Sequence, residues 1–202
     1  MSVKKIASAL LLPLLAMAAQ LPELRTEPIG GGSVFFIKNT SSVPLTAYLI
    51  ELVDYPGSSY SLWQDEISAQ PIAPGAEKRI QVTNMTAGAV PDYMKLTAAI
   101  FADGTTAGAL PKVGQFIDRR HAVLVTTRDL ISRLEKGATK ADLKQWADSL
   151  QPVGKAKPSV NQSASRSLIM ETEAWLDAHS PAETLTKLRA SEKALAASKP
   201  TL

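Results

Sequence analysis

Two periodicities divide this chain, and together they predict an α+β protein: an N-terminal antiparallel β-sandwich followed by a helical C-terminal region. From residue 33 to 111, short β-rich runs alternate apolar and polar positions between turn-forming clusters. From residue 112 onward apolar residues recur at helical spacing, with start and stop residues between the runs. A positively charged, apolar leader precedes both regions.

The first strand signal is Val34-Phe35-Phe36-Ile37, closed by the turn formers Asn39-Thr40-Ser41-Ser42. Leu45 to Val53 follows, its successive side chains facing opposite ways. Tyr55-Pro56-Gly57-Ser58-Ser59 is a turn, and Tyr60 to Gln64 alternates again, with Trp63 opposite Leu62. Pro71-Ile72-Ala73-Pro74-Gly75 turns the chain into Lys78–Thr83, where Ile80 and Val82 share a face. Leu96 to Phe101 is the last strand, stopped by Asp103-Gly104. Ahead of all these, residues 19–32 read as a flexible lead-in ending in Gly30-Gly31-Gly32.

A helical segment occupies 112–150. Phe116, Ile117, Leu124, Ile131 and Leu134 form one stripe, ended by Gly137. Thr139 caps a second helix whose Leu143, Trp146, Ala147 and Leu150 share a face. Residues 151–161, rich in proline and lysine, read as a linker. A helical hairpin fills 162–202: Leu168, Trp175 and Leu176 mark its first arm. Ser180-Pro181-Ala182-Glu183 opens the second with a capping box. Leu185, Leu188 and Leu195 continue that arm's apolar stripe, which Glu192 interrupts.

Residues 1–18 read as a cleavable secretory signal: Lys4 and Lys5, an apolar run from Ile6, then Ala16-Met17-Ala18 as the peptidase site. The expected mature chain starts at Ala19 and is secreted or periplasmic. With no cysteine, it has neither disulfides nor a lipid-modified N-terminus. The longest later apolar stretch, Val43 to Val53, is too short to span a bilayer, so no transmembrane helix is expected in the mature chain. Net charge is +3, but it is uneven. Residues 19–111 hold five Lys/Arg against nine Asp/Glu, and residues 112–202 hold fifteen against ten. A mildly basic half without interleaved aromatics does not point to nucleic acid.

The first half resembles exported Ig-like β-sandwich proteins. The residues carrying this are Phe36-Ile37-Lys38-Asn39-Thr40-Ser41, Pro44-Leu45-Thr46-Ala47-Tyr48, Ile72-Ala73-Pro74-Gly75 and Ala99-Ile100-Phe101-Ala102-Asp103-Gly104-Thr105. The chain is also similar to uncharacterised bacterial proteins in which a Phe-x-Asp-Gly-Thr turn leads into a helix bearing an Arg-Arg pair, here Arg119-Arg120. The resemblance implies a fold and no activity, and it carries over no site residue.

Catalytic, metal and cofactor motifs are absent from the sequence, so no catalytic, cofactor-binding or metal residue is assigned and no cofactor is expected. His121 and His179 have no metal-ligand spacing. The first reads as solvated, the second as a contact to the preceding helix end. No G-x-S-x-G elbow exists, and the triple glycine lacks a following G-K-[ST]. Asp103 reads as a turn former. Asp65-Glu66 reads as exposed loop charge, Trp63 as a sugar platform on a sandwich face, and Trp146 and Trp175 as core or sheet–helix contacts. Asn39, Asn84 and Asn161 match the glycosylation pattern N-x-[ST]. Arg120 is expected to clasp the two halves through an acid of the first, with Asp103 the candidate, while Arg119 points away.

The function expected is that of a non-enzymatic interaction or structural module with a protein or cell-envelope partner. The alternative is an extracytoplasmic hydrolase using Asp65 and Glu66 on cell-wall or extracellular polymer.

Overall fold

Among the described residues, alternation in the first half produces seven strands, and the changed period after them produces four α-helices. A computed structural model describes residues 19–83, 91–152 and 157–200. The expected signal and Asn84 lie outside the described residues. The strands are β1 (Glu23–Ile29), β2 (Gly32–Lys38), β3 (Leu45–Leu52), β4 (Ser61–Asp65), β5 (Glu77–Thr83), β6 (Met94–Phe101) and β7 (Thr106–Gly108). The helices are α1 (Leu110–Glu135), α2 (Lys140–Ser149), α3 (Val160–Trp175) and α4 (Pro181–Ala197).

Two antiparallel sheets form, one in the order β1-β2-β5 and the other β4-β3-β6-β7. Their inner faces close on Phe35, Ile37, Leu45, Tyr48, Ile50 and Phe101, all buried. Here the structure departs from the expected lead-in at 19–32. Residues 23–29 are a full strand, and Gly30-Gly31 is the two-residue hairpin that pairs Ile29 with Gly32. Gly31 has φ +74°, the left-handed conformation such a tight turn requires. This strand was hard to read because it is an edge. Glu23, Arg25, Glu27 and Pro28 interrupt its apolar pattern, and Arg25 lies over the ring of its register partner Phe36.

Strand β3 is buried on both faces. Tyr48 and Ile50 face the sandwich, while Ala47 and Leu49, with Ala98 and Ile100 of β6, face Val113 and Phe116 of α1. The small Ala47 and Ala98 let the helix lie close to the sheet. Helix α1 has 26 residues, roughly 39 Å of length, and reaches beyond the sheet. There Leu130, Ile131 and Leu134 meet Leu143 of α2, Ile169 of α3 and Leu188 of α4 in a second core. One helix therefore belongs to both halves.

The helix ends follow local chemistry. Helix α1 stops in a two-bond cap: Ala138 N–H donates to Arg133 O at 3.0 Å and Gly137 N–H to Leu134 O at 3.0 Å. Reciprocal capping boxes open α2 (Thr139 with Asp142), α3 (Ser159 with Gln162) and α4 (Ser180 with Glu183). The box at Ser159 shortens the expected 151–161 linker, because the helix already begins at Val160. Asn39, a glycosylation candidate by sequence, is fully buried. Its amide donates to Val43 O and Ile72 O, both at 2.8 Å, which leaves no room for a sugar.

Candidate functional site

Arg120 sits one helical turn after Phe116, so the stripe that seats α1 on the sheet carries its guanidinium inward. It is 5% exposed. Nε donates to Asp65 Oδ2 at 2.6 Å and Nη2 to Asp65 Oδ1 at 2.9 Å, the parallel fork that suits arginine and carboxylate. Nη2 also donates to Thr46 Oγ1 at 3.0 Å, and that hydroxyl donates on to Ile100 O at 2.9 Å. Nη1 donates to Ser198 Oγ at 2.8 Å. Strand, helix and C-terminal tail meet at this one side chain. The tail also passes over the β6–β7 turn so closely that a Cβ on Gly104 (φ +89°) would sit 2.4 Å from Lys199 O.

Arg120 is thus a clasp between the halves, but its acid is Asp65 and not Asp103. Asp103 instead accepts from Thr105 N–H at 2.9 Å and Thr105 Oγ1 at 2.7 Å. Those bonds hold its carboxyl below the usual range. The exposed-loop reading of Asp65-Glu66 is likewise corrected. Asp65 ends β4, and Glu66 is 5% exposed and paired with Lys78 of β5. As strand neighbours their side chains leave on opposite faces, so they share no cavity as a hydrolytic pair would. Glu66 adds its charge to burial in pushing the Tyr48 phenol far above its ordinary value. Trp63, half-buried, packs edge-on to Phe116 with ring centroids 4.7 Å apart.

Arg119, one residue back, has a different environment. It is half-buried, and among the described residues it forms no ion pair and no hydrogen bond. Burial pushes its pKa down, while Asp65 and Glu171 oppose that shift; the guanidinium remains charged. It lines a groove of about 420 Å³ between the end of β4, the loop after it, and helices α1, α3 and α4. Trp63, Ile67, Val123, Leu168 and Leu195 give the groove an apolar floor. Ser68, Ser167 and Ser191 also line it, and their hydroxyls have no partner among the described residues.

At the far wall Lys187 holds its ammonium 3.4 Å from the centre of the Trp175 ring, without an acid partner among the described residues. The same indole stacks on His179 at 3.7 Å, and His179 Nδ1 lies 3.1 Å from Trp175 O. The sequence reading of His179 as a contact to the preceding helix end holds, and His121 is exposed as read. The Trp175 indole N–H is buried without a partner among the described residues. Two cations, Arg119 and Lys187, line this groove with two acids, Asp65 and Glu171; Asp65 is already paired with Arg120 of the seam, which leaves the groove one positive charge in excess. The opening therefore favours a negatively charged guest. The described residues hold no cluster of three potential metal ligands, and none of their helices is long and apolar enough to cross a membrane.

The groove escaped the sequence reading because its walls come from five separate elements. The Arg-Arg pair was its sole local signal. Comparison with protein-family models, curated proteins and solved structures yields no match for this chain.

Proposed function

We propose that this protein is an exported, non-enzymatic binding module that holds an acidic partner in the groove beside Arg119. The carrying observation is the half-buried Arg119 guanidinium, desolvated and without an ion pair among the described residues, above an apolar floor. Burial outweighs the help that Asp65 and Glu171 give this charge, and a bound carboxylate would compensate it further. Asp65 and Glu66, the carboxylates a hydrolase would need, are held in separate ion pairs, which favours binding over catalysis.

The scaffold we assign is an Ig-like sandwich. Lettered along the chain as A, B, C, C′, E, F and G, the strands fall into sheets ABE and C′CFG. This is the seven-strand Ig arrangement with the fourth strand moved to the second sheet. Export rests on Lys4, Lys5, the apolar run and Ala16-Met17-Ala18, and it places the partner among proteins or cell-envelope components. The likeness to exported bacterial sandwich proteins rests on the motifs around Asn39 and Asp103.

The test titrates isotope-labelled protein with acetate and succinate while following the arginine Nε–H signals. Saturable shifts at Arg119 and the Trp63 indole, lost in Arg119→Ala, are expected. Shifts spread evenly over the exposed arginines contradict the reading. Intact mass of the exported product checks the compartment: a start at Ala19 is expected, and a retained Met1 contradicts it.

A further inference from the structure

We propose that the guest is an extended peptide segment that adds as a strand to the free edge of β4 and sets a carboxylate against Arg119; this deepens the binding reading and rests on it. Among the described residues sheet order makes β4 an edge, with β3 on one side only. Leu52 N–H donates to Tyr60 O at 3.0 Å and Glu66 N–H to Thr46 O at 2.7 Å. These bonds fix the phase of the β3–β4 ladder, whose register pairs Ile50 with Leu62 and Tyr48 with Gln64. Residues 60, 62, 64 and 66 therefore bond to β3, and the backbone groups of Ser61, Trp63 and Asp65 point outward. Among the described residues those outward groups have no backbone partner.

The other three edges are guarded. Strand β1 carries Glu23, Arg25, Glu27 and Pro28, and β5 carries Glu77, Lys78 and Arg79. Strand β7 is only three residues long and runs almost directly into α1. Charge, proline and shortness are the usual protections of an edge. Strand β4, Ser-Leu-Trp-Gln-Asp, has a single charge, and Arg120 neutralises it. The groove also opens on this edge. It touches both Trp63 and Gln64, neighbours whose side chains leave on opposite faces, and a cavity reaches both by way of the strand's rim.

A segment laid along this edge gains main-chain hydrogen bonds from β4 and side-chain contacts from the apolar floor. Arg119 lies at the Asp65 end of the groove's strand wall. A segment parallel to β4 brings its C-terminal carboxylate there. An antiparallel one brings an acidic side chain near its N-terminus.

Three eight-residue Val/Thr peptides with acetylated N-termini test this by calorimetry on the full mature chain. One ends in a free carboxylate, one is amidated, and one is amidated with glutamate at its second position. One of the two acidic probes is expected to bind at least tenfold tighter than the plain amide, and which one gives the strand direction. A proline at the centre of that probe, or Ser61→Pro in the protein, should weaken binding about tenfold. Arg119→Ala should erase the difference between acid and amide; Arg119→Lys should restore part of it. Equal binding of all three peptides overturns the proposal. So does a second copy of the chain occupying β4, seen as a dimer in sedimentation that Ser61→Pro dissolves. If no peptide binds while acetate still shifts Arg119, the strand proposal fails and the binding reading stands. If acetate also leaves Arg119 unmoved, both fail.

Discussion

Arg119 and Arg120 are neighbours on one helix, yet they live in two different regions of the molecule. Successive helical residues are turned by roughly 100°, so one guanidinium enters the seam between sheet and helix and the other enters the groove beside it. In the seam, Arg120 donates to Asp65, Thr46 and Ser198. In the groove, Arg119 has no such partner among the described residues, and burial weighs against its charge. The contrast separates structure from function. A buried charge satisfied by its own chain holds the fold, whereas a desolvated charge left open is what the proposed binding function uses.

The largest effect that would break this comparison is at the clasp. Arg120→Ala strands Asp65 beside the seam and should lower unfolding free energy by about 3–5 kcal/mol in chemical denaturation. Replacing both partners, Arg120→Met with Asp65→Leu, should recover most of that loss, because two apolar side chains of similar volume need no compensation. A double variant as unstable as the single one would show that packing at Arg120, and not its charge, holds the seam.

Thr46→Val comes next. It keeps the shape but removes the hydroxyl that accepts from Arg120 and donates to Ile100. A loss of about 1–2 kcal/mol is expected, the cost of unsatisfied buried partners. No change in the denaturation midpoint would mean that Asp65 and Ser198 suffice for Arg120.

Smaller again is the acid response of the helix starts. The Ser180 backbone and hydroxyl donate to Glu183, and Thr139 does the same for Asp142, holding both carboxyls below their ordinary values. A group depressed in this way stabilises the fold above its unfolded pKa. That contribution is lost as pH falls through the lower folded value. Melting temperature should therefore drop as pH falls from 5 toward 3. Glu183→Gln, which keeps the capping geometry without the charge, should flatten that drop. An unchanged pH profile in this variant would place the acid sensitivity elsewhere, with the clasp the first place to look.

Much of the fold was legible because burial leaves a period in the sequence. The alternation in 45–53 and the stripe beginning at Phe116 each reported a face seated on a core. Strand β1 was not legible, since its exposed side carries charges and proline in place of alternation. The Ser159-x-x-Gln162 box was available as a signal and lay hidden in a stretch that composition marked as linker. The clasp was half legible. Helical spacing turned Arg120 inward, but the choice of Asp103 relied on closeness along the chain. Helix α1 instead crosses the sheet face and passes the end of β4, and only the tertiary path brings Asp65 to it. The groove, built from β4, a loop and three helices, has no period to leave.

The most direct test of the division between the two arginines measures stability and binding together in Arg119→Ala and Arg120→Ala. Arg119→Ala should unfold within about 0.5 kcal/mol of the parent and lose its response to acetate and to the acidic peptide. Arg120→Ala should melt well below the parent and, at a temperature where it is still folded, keep the response. A destabilised Arg119→Ala that still binds, beside a stable Arg120→Ala that does not, would contradict the account.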